Sequence, residues 1–245
     1  MKLLDIPFND RRRRYLVFHP NRLPDRLALQ STTTTKMFES IGSSRFFVSR
    51  NQRILAKVVP DKFSKACSPI KWFLHDYLEK RWLGQSDARK EYLSLNILRR
   101  AGLQTPDCLG WGLSLNPGNR NASLLLMEHV QDTRSGGEVF DALDEEARLT
   151  FLEQLCREVM QLARAGYVHR DLHYNNLLIA SNGDILWIDT HVRPLPTKST
   201  DQWPALKKSL TVNKLRGEKY RNIVEQRLQA AWLMPSDPQS KNPKR

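Results

Sequence analysis

Between Asp144 and Asp189 the sequence passes through three textures in turn, and that succession leaves few folds open. Leu149, Leu152, Cys156, Val159 and Ala163 step by three and four residues, the spacing of one helical face, with Asp144 placed to cap the start and Gly166 to end it. A polar segment without period, Val168 to Asn176, comes next. Two apolar runs then flank Ser181-Asn182-Gly183-Asp184: Leu177-Leu178-Ile179-Ala180 and Ile185-Leu186-Trp187-Ile188. Asn-Gly supplies positive φ at low cost, so the runs predict a β-hairpin with Asp189 at its exit. Long helix, polar loop and hairpin in that order predict a chain of the α+β class.

The polar loop carries the chemistry. Asn176 follows Asp171 by five residues and Asp189 follows it by eighteen, with the hairpin between them, which can bring three oxygen-bearing side chains to one rim. Phosphoryl transfer uses such a set. One carboxylate orients the attacking hydroxyl and accepts its proton, while a second carboxylate and an amide carbonyl hold Mg²⁺ against the phosphates.

Upstream, Thr32 to Val59 reads as a three-stranded antiparallel meander, with turns at Ile41-Gly42-Ser43-Ser44 and near Asn51-Gln52. Ile70 to Tyr77 reads as a short helix. Ala88 to Arg100 reads as a second, with Tyr92, Leu95, Ile97 and Leu98 on its apolar face and Gly102 as its stop. Pro106 to Leu113 and Ser123 to Val130 are predicted strands, joined by a loop at Asn116 to Asn121. Residues 1–30, with the run Arg11-Arg12-Arg13-Arg14, read as an irregular basic arm, either a solvated tail or a docking patch for acidic lipid. The last ten residues, 236–245, read as a frayed tail.

The 245 residues suffice for one generous domain or two small lobes. Lys and Arg number 39 against 26 Asp and Glu, a net charge of +13 that attracts polyanions without choosing among them. The cysteines Cys67, Cys108 and Cys156 lie far apart, which argues against a disulfide framework or a zinc knuckle and for a reducing compartment. No long apolar run follows Met1, and none approaches a membrane span, so the expectation is a soluble cytosolic protein able to touch a membrane. The tryptophans read as core or packing residues, and nucleic acid is not an expected partner.

His169-Arg170-Asp171-Leu172 through Asn176, with Asp189 after the hairpin, resembles the catalytic loop and metal-binding Asp of the protein-kinase-like superfamily. The resemblance implies a two-lobe fold: an N-lobe with a small antiparallel sheet over 31–130, and a mainly helical, shortened C-lobe over 131–235. It implies that Asp171 is the catalytic base and that Asn176 and Asp189 hold the metal. Lys57, in Ala56-Lys57, resembles the lysine on the α and β phosphates, and Glu91 resembles the carboxylate that holds it, with Glu79 as the alternative. Met127-Glu128-His129-Val130 stands where the hinge meets adenine, and Gly42 stands in the phosphate-covering turn. His169 would brace the loop, while His173 and His191 would be structural or touch substrate. Asp201 would either anchor the catalytic loop or cap a helix.

Asp189 is followed by Thr190-His191 instead of Phe-Gly, and only 56 residues remain after it, too few for a full activation segment. With the insert before Arg89-Lys90-Glu91 and Arg99-Arg100-Ala101-Gly102-Leu103-Gln104-Thr105-Pro106 after it, the chain is similar to bacterial lipopolysaccharide core kinases. That similarity implies transfer from ATP, with Mg²⁺, to a heptose or 3-deoxy-octulosonic acid (Kdo) hydroxyl of the inner core. It further implies an anionic glycolipid acceptor and a cytoplasmic enzyme peripheral to the inner membrane. The alternatives are a protein or small-molecule kinase of the same fold, or a nucleotide-binding pseudokinase. The oligomeric state stays open.

Overall fold

The computed structural model of the chain describes residues 1–8, 11–32, 35, 44–63, 66–82, 85–116, 121–188 and 191–234. Met1–Arg99 and Gln104–Thr133 form one compact unit, which Trp187 joins; Arg100–Leu103, Arg134–Leu186 and the C-terminal segment form another.

The first unit is built on a closed seven-stranded barrel, where the sequence predicts a small antiparallel sheet. Its strands are β1 (Lys2–Phe8), β2 (Arg11–Phe18), β3 (Leu29–Gln30), β4 (Arg45–Ser49), β5 (Ile54–Val59), β6 (Cys108–Ser114) and β7 (Ser123–Glu128), hydrogen-bonded in the order β1-β2-β6-β7-β5-β4-β3. The irregular arm is therefore corrected: half of residues 1–30 lies in the two paired strands β1 and β2. Leu4, Ile6 and Phe8 on β1 and Tyr15 and Val17 on β2 alternate inward with period two and fill the barrel with Phe47, Ile54, Ala56, Val58, Leu124 and Leu126. Charges on the outward positions, Asp5, Arg12 and Arg14, mask that alternation in the sequence. Arg13 falls on the inward parity and lays its guanidinium 5.4 Å from the centre of the Phe8 ring, half-buried.

The described part of the predicted meander is the β4–β5 hairpin, with β3 beside it; of the predicted turn, Ile41, Gly42 and Ser43 lie outside the described residues. At Gly110 the β6–β7 register slips, and its φ of +143° together with Phe18 O, 2.9 Å from where a Cβ would stand, leaves room only for glycine.

Between β5 and β6 lie α1 (Pro69–Lys71), which runs on into a π-helical segment Trp72–Trp82, and α2 (Asp87–Arg100). Ala88 and Leu95 of α2 pack on Trp111, Leu113, Leu125 and Met127, the residues of β6 and β7 that point away from the barrel interior.

The second unit follows the sequence reading closely. Short strand β8 (Thr133–Ser135) leads into α3 (Gly136–Ala142) and then α4 (Glu145–Arg164), whose first turn is capped by Asp144 accepting from Ala147 N at 2.9 Å. Gly166, at φ +87°, ends α4. Strand β9 (Tyr167–His169), the polar loop and the hairpin β10 (Leu177–Ala180) and β11 (Ile185–Trp187) come next. Gly183 takes φ +87° in the turn and donates to Ala180 O at 2.9 Å. Strand β12 (Val192–Pro194) pairs antiparallel with β9, and α5 (Ser199–Lys207) and α6 (Glu218–Leu233) complete the unit. The tail at 236–245 is outside the described residues.

All three cysteines are free, and only Cys67 is exposed. Burial pushes the thiols of Cys108 and Cys156 up to about 12. A disulfide reagent at pH 8 should therefore titrate one fast thiol in the native protein and the other two only on unfolding. Three fast thiols would contradict this packing.

Candidate active site

Alternation on β5 decides where Lys57 points. Ala56 and Val58 enter the barrel, so Lys57 between them faces outward, on the side where α2 lies. Glu91 is on the buried face of α2 with Ala88, Leu95 and Leu98. The two side chains meet as an ion pair, Nζ to Oε1 at 2.9 Å, each only 10% exposed. Phe46, the cross-strand partner of Lys57 on β4, sets its ring 6.0 Å from Nζ. Of the two acids that the sequence offered, Glu91 is the one that Lys57 meets in this pair.

In the second unit the loop is held from three sides. Its backbone continues β9, where Arg170 N donates to His191 O at 2.8 Å. Tyr174 is fully buried, with Phe140 at 4.4 Å and Phe151 at 5.6 Å between ring centres, and its hydroxyl donates to Leu215 O at 3.4 Å. Burial raises the Tyr174 hydroxyl well above the usual phenol range and keeps it a donor. Below the loop, Gly136 and Gly137 open α3. A Cβ on Gly136 would stand 2.6 Å from Tyr174 O, and one on Gly137 would stand 1.9 Å from Asn175 Oδ1. These glycines answer a need for close approach; neither takes a positive φ.

So seated, the loop presents Asp171 and Asn176 together. Asn176 Nδ2 donates to Asp171 O at 2.9 Å, which fixes the amide and leaves Oδ1 as the end that a hard cation could use. The donor chemistry therefore fits Mg²⁺ at Asn176. Among the described residues no three His, Cys, Asp or Glu cluster as metal ligands. His173 Nδ1 accepts from Asn175 N at 2.9 Å, and burial holds the ring below the usual imidazole range against the opposing pull of Asp171. It braces the loop through that hydrogen bond.

Asp189 and Gly42 lie outside the described residues. Glu128 ends β7 with its side chain exposed and its N–H donated to Asp107 O at 2.8 Å, while His129 N–H goes to Arg53 O at 2.9 Å. Asp201 meets neither expectation. It is exposed inside the first turn of α5, the residue at the cap is Lys198, and its carboxylate accepts from the neighbouring Thr200 hydroxyl. His169 is buried in β9.

Sequence reasoning missed Lys214. A 3₁₀ turn, Val212–Leu215, sets its Nζ in direct contact with Asp171 Oδ1. Arg216, at φ +60° after that turn, anchors it to α3 through a bidentate pair with Asp141 at 2.9 and 2.8 Å. Lys214 stands 43 residues from Asp171 among many C-terminal lysines, so spacing could not single it out. Gly136-Gly137 carried a readable signal, a glycine pair opening a helix.

The model of the lipopolysaccharide kinase (Kdo/WaaP) family matches residues 68–204. The chain belongs to that family, and it is a kinase, a phosphotransferase acting on the lipopolysaccharide core. Among solved structures it is similar to WaaP in complex with acyl carrier protein, at 16% identity over 80% of this chain and 82% of that one, TM-score 0.49. It is also similar to the bifunctional kinase-methyltransferase WbdD, at 16% identity over 82% of this chain and 45% of that one, TM-score 0.45. No curated protein matches.

Glu91→Ala should cost about 3–5 kcal/mol in denaturant unfolding, because it removes the carboxylate that stands 2.9 Å from the buried Lys57 ammonium. Lys57→Met with Glu91→Leu should recover most of that stability. A Glu91→Ala protein as stable as wild type would show that the pair is not buried in solution.

Proposed function

We propose that this kinase transfers the γ-phosphoryl group of ATP to a heptose or Kdo hydroxyl of the inner core, at the cytoplasmic face of the inner membrane. The observation that carries the reading is the buried Lys57–Glu91 pair, an ammonium held in fixed geometry where the family resemblance requires one. In this reading the two compact units are the two lobes of the protein-kinase-like fold.

Lys57 neutralises the α and β phosphates, and Glu91 keeps it from turning away. Glu128 meets the adenine through its carbonyl oxygen, its N–H being already donated to Asp107 O. Asp171 orients the sugar hydroxyl and accepts its proton as the oxygen attacks. Asn176 and Asp189 would hold Mg²⁺, which would supply counter-charge to the phosphates.

Lys214 adds a cation in direct contact with Asp171. At rest its ammonium holds the Asp171 carboxylate in one position. Next to Asp171, it would also serve as a donor to the phosphoryl group as that group is transferred.

The test is label transfer from γ-labelled ATP to dephosphorylated core glycolipid, run on Kdo-only and heptose-containing acceptors beside a protein acceptor. Asp171→Asn should lower kcat by about 10²–10⁴-fold with ATP binding nearly unchanged. Lys214→Met should lower kcat by about 10²-fold with KM for ATP little altered, and Lys214→Arg should return part of it. Label on the protein alone would redirect the assignment to a protein kinase, and full turnover by Asp171→Asn would remove that residue from the mechanism.

A further inference from the structure

In the helical stretch from Pro69 to Trp82, three described apolar residues face solvent, the wrong side for a helix of a water-soluble protein. Ile70, Phe73 and Leu74, spaced three and four residues apart, form one ridge and are 74%, 49% and 53% exposed. The ridge does not come from a loosely attached helix. Trp72 is 8% exposed and donates its indole N–H to Asp61 Oδ2 at 3.1 Å, which pins this end of the stretch to the first unit. Tyr77 stacks on Phe73 at 5.7 Å and leans on Trp72 at 5.6 Å, making an aromatic band between the buried and the exposed side. Lys71 is exposed at its start, and Lys62 is exposed seven residues before it in the chain.

An apolar ridge with aromatics at its margin and lysines beside it has the composition of a segment that lies in a bilayer interface. Charge selects that occupant over a second copy. Pairing through this face would bring together two chains of +13 each, whereas an acidic lipid surface is attracted by the same charge. No described helix is long and apolar enough to cross a membrane, so the contact is peripheral. We propose that Ile70, Phe73 and Leu74 enter the acyl boundary of an anionic bilayer, with Lys62 and Lys71 on the phosphates, and so dock the kinase on the membrane. The choice of partner rests on the membrane-surface reading above, and the face is new to it.

Binding to vesicles is measured without ATP or acceptor, so it succeeds or fails independently of the phosphotransfer assignment. The full chain is sedimented with vesicles of neutral phosphatidylcholine, alone or with 30% phosphatidylglycerol, the composition chosen for the probe. Wild type should bind the anionic vesicles and, at moderate salt, leave neutral ones unbound. The triple variant Ile70→Ser, Phe73→Ser, Leu74→Ser should lose at least tenfold in binding with an unchanged melting curve, and Phe73→Leu alone should retain it. Equal binding by the triple variant would overturn the proposal. So would loss seen only in Arg12→Ser with Arg14→Ser, which would move docking to β2, or a wild-type dimer that the triple variant abolishes.

Discussion

A lysine ammonium taken out of water must meet a carboxylate or give up its charge, and the Lys57–Glu91 pair meets that demand with each partner nine-tenths buried. Much of the first unit can be read as the scaffold this pair needs. The barrel turns Lys57 outward by placing Ala56 and Val58 inside, and α2 brings Glu91 over it by docking Ala88 and Leu95 on the reverse of β6 and β7. Leu124 and Leu126 line the barrel while Leu125 and Met127 receive the helix, so a strand that is apolar on both faces joins the two layers. A buried pair of this kind adds little net stability; it fixes a cation in a place where a mobile lysine would be of less use.

The second unit solves a different problem, holding an irregular polar loop in a defined shape. Regular structure cannot do this, since residues 171–173 have no strand ladder to share. Small residues and one large ring do it instead. Gly136 and Gly137 let the loop backbone and the Asn175 amide approach α3, while Tyr174 fills the space between Phe140 and Phe151. The Tyr174 hydroxyl bond to Leu215 and the Arg216–Asp141 pair then carry the same order to the turn that bears Lys214. Asp171 and its counter-charge are thus positioned by one connected set of contacts.

Legibility varied with the range of the interactions. Elements whose signal is local were read correctly: the Asp144 cap, the stop at Gly166, the Asn-Gly hairpin and α2 all rest on contacts within a few residues. Residues 1–30 were misread because Arg12, Arg14 and Asp5 occupy the outward positions of β1 and β2, and charge on one face hides the period-two burial of the other. Asp201 was misread because a single acid near a helix start does not show whether it stands before the first turn or inside it.

By itself the sequence determined the family and the order of the elements in the second unit, and it singled out Lys57, Glu91, Asp171 and Asn176 as candidates, because chemistry that needs given groups in a given order leaves them at readable spacings. Tertiary structure alone decided that the first unit closes into a barrel, that Glu91 faces Lys57, and that Lys214 reaches Asp171. Those facts depend on which faces of strands and helices meet across 34 and 43 residues of chain, and periodicity gives the face of each element without naming the face it will pack against.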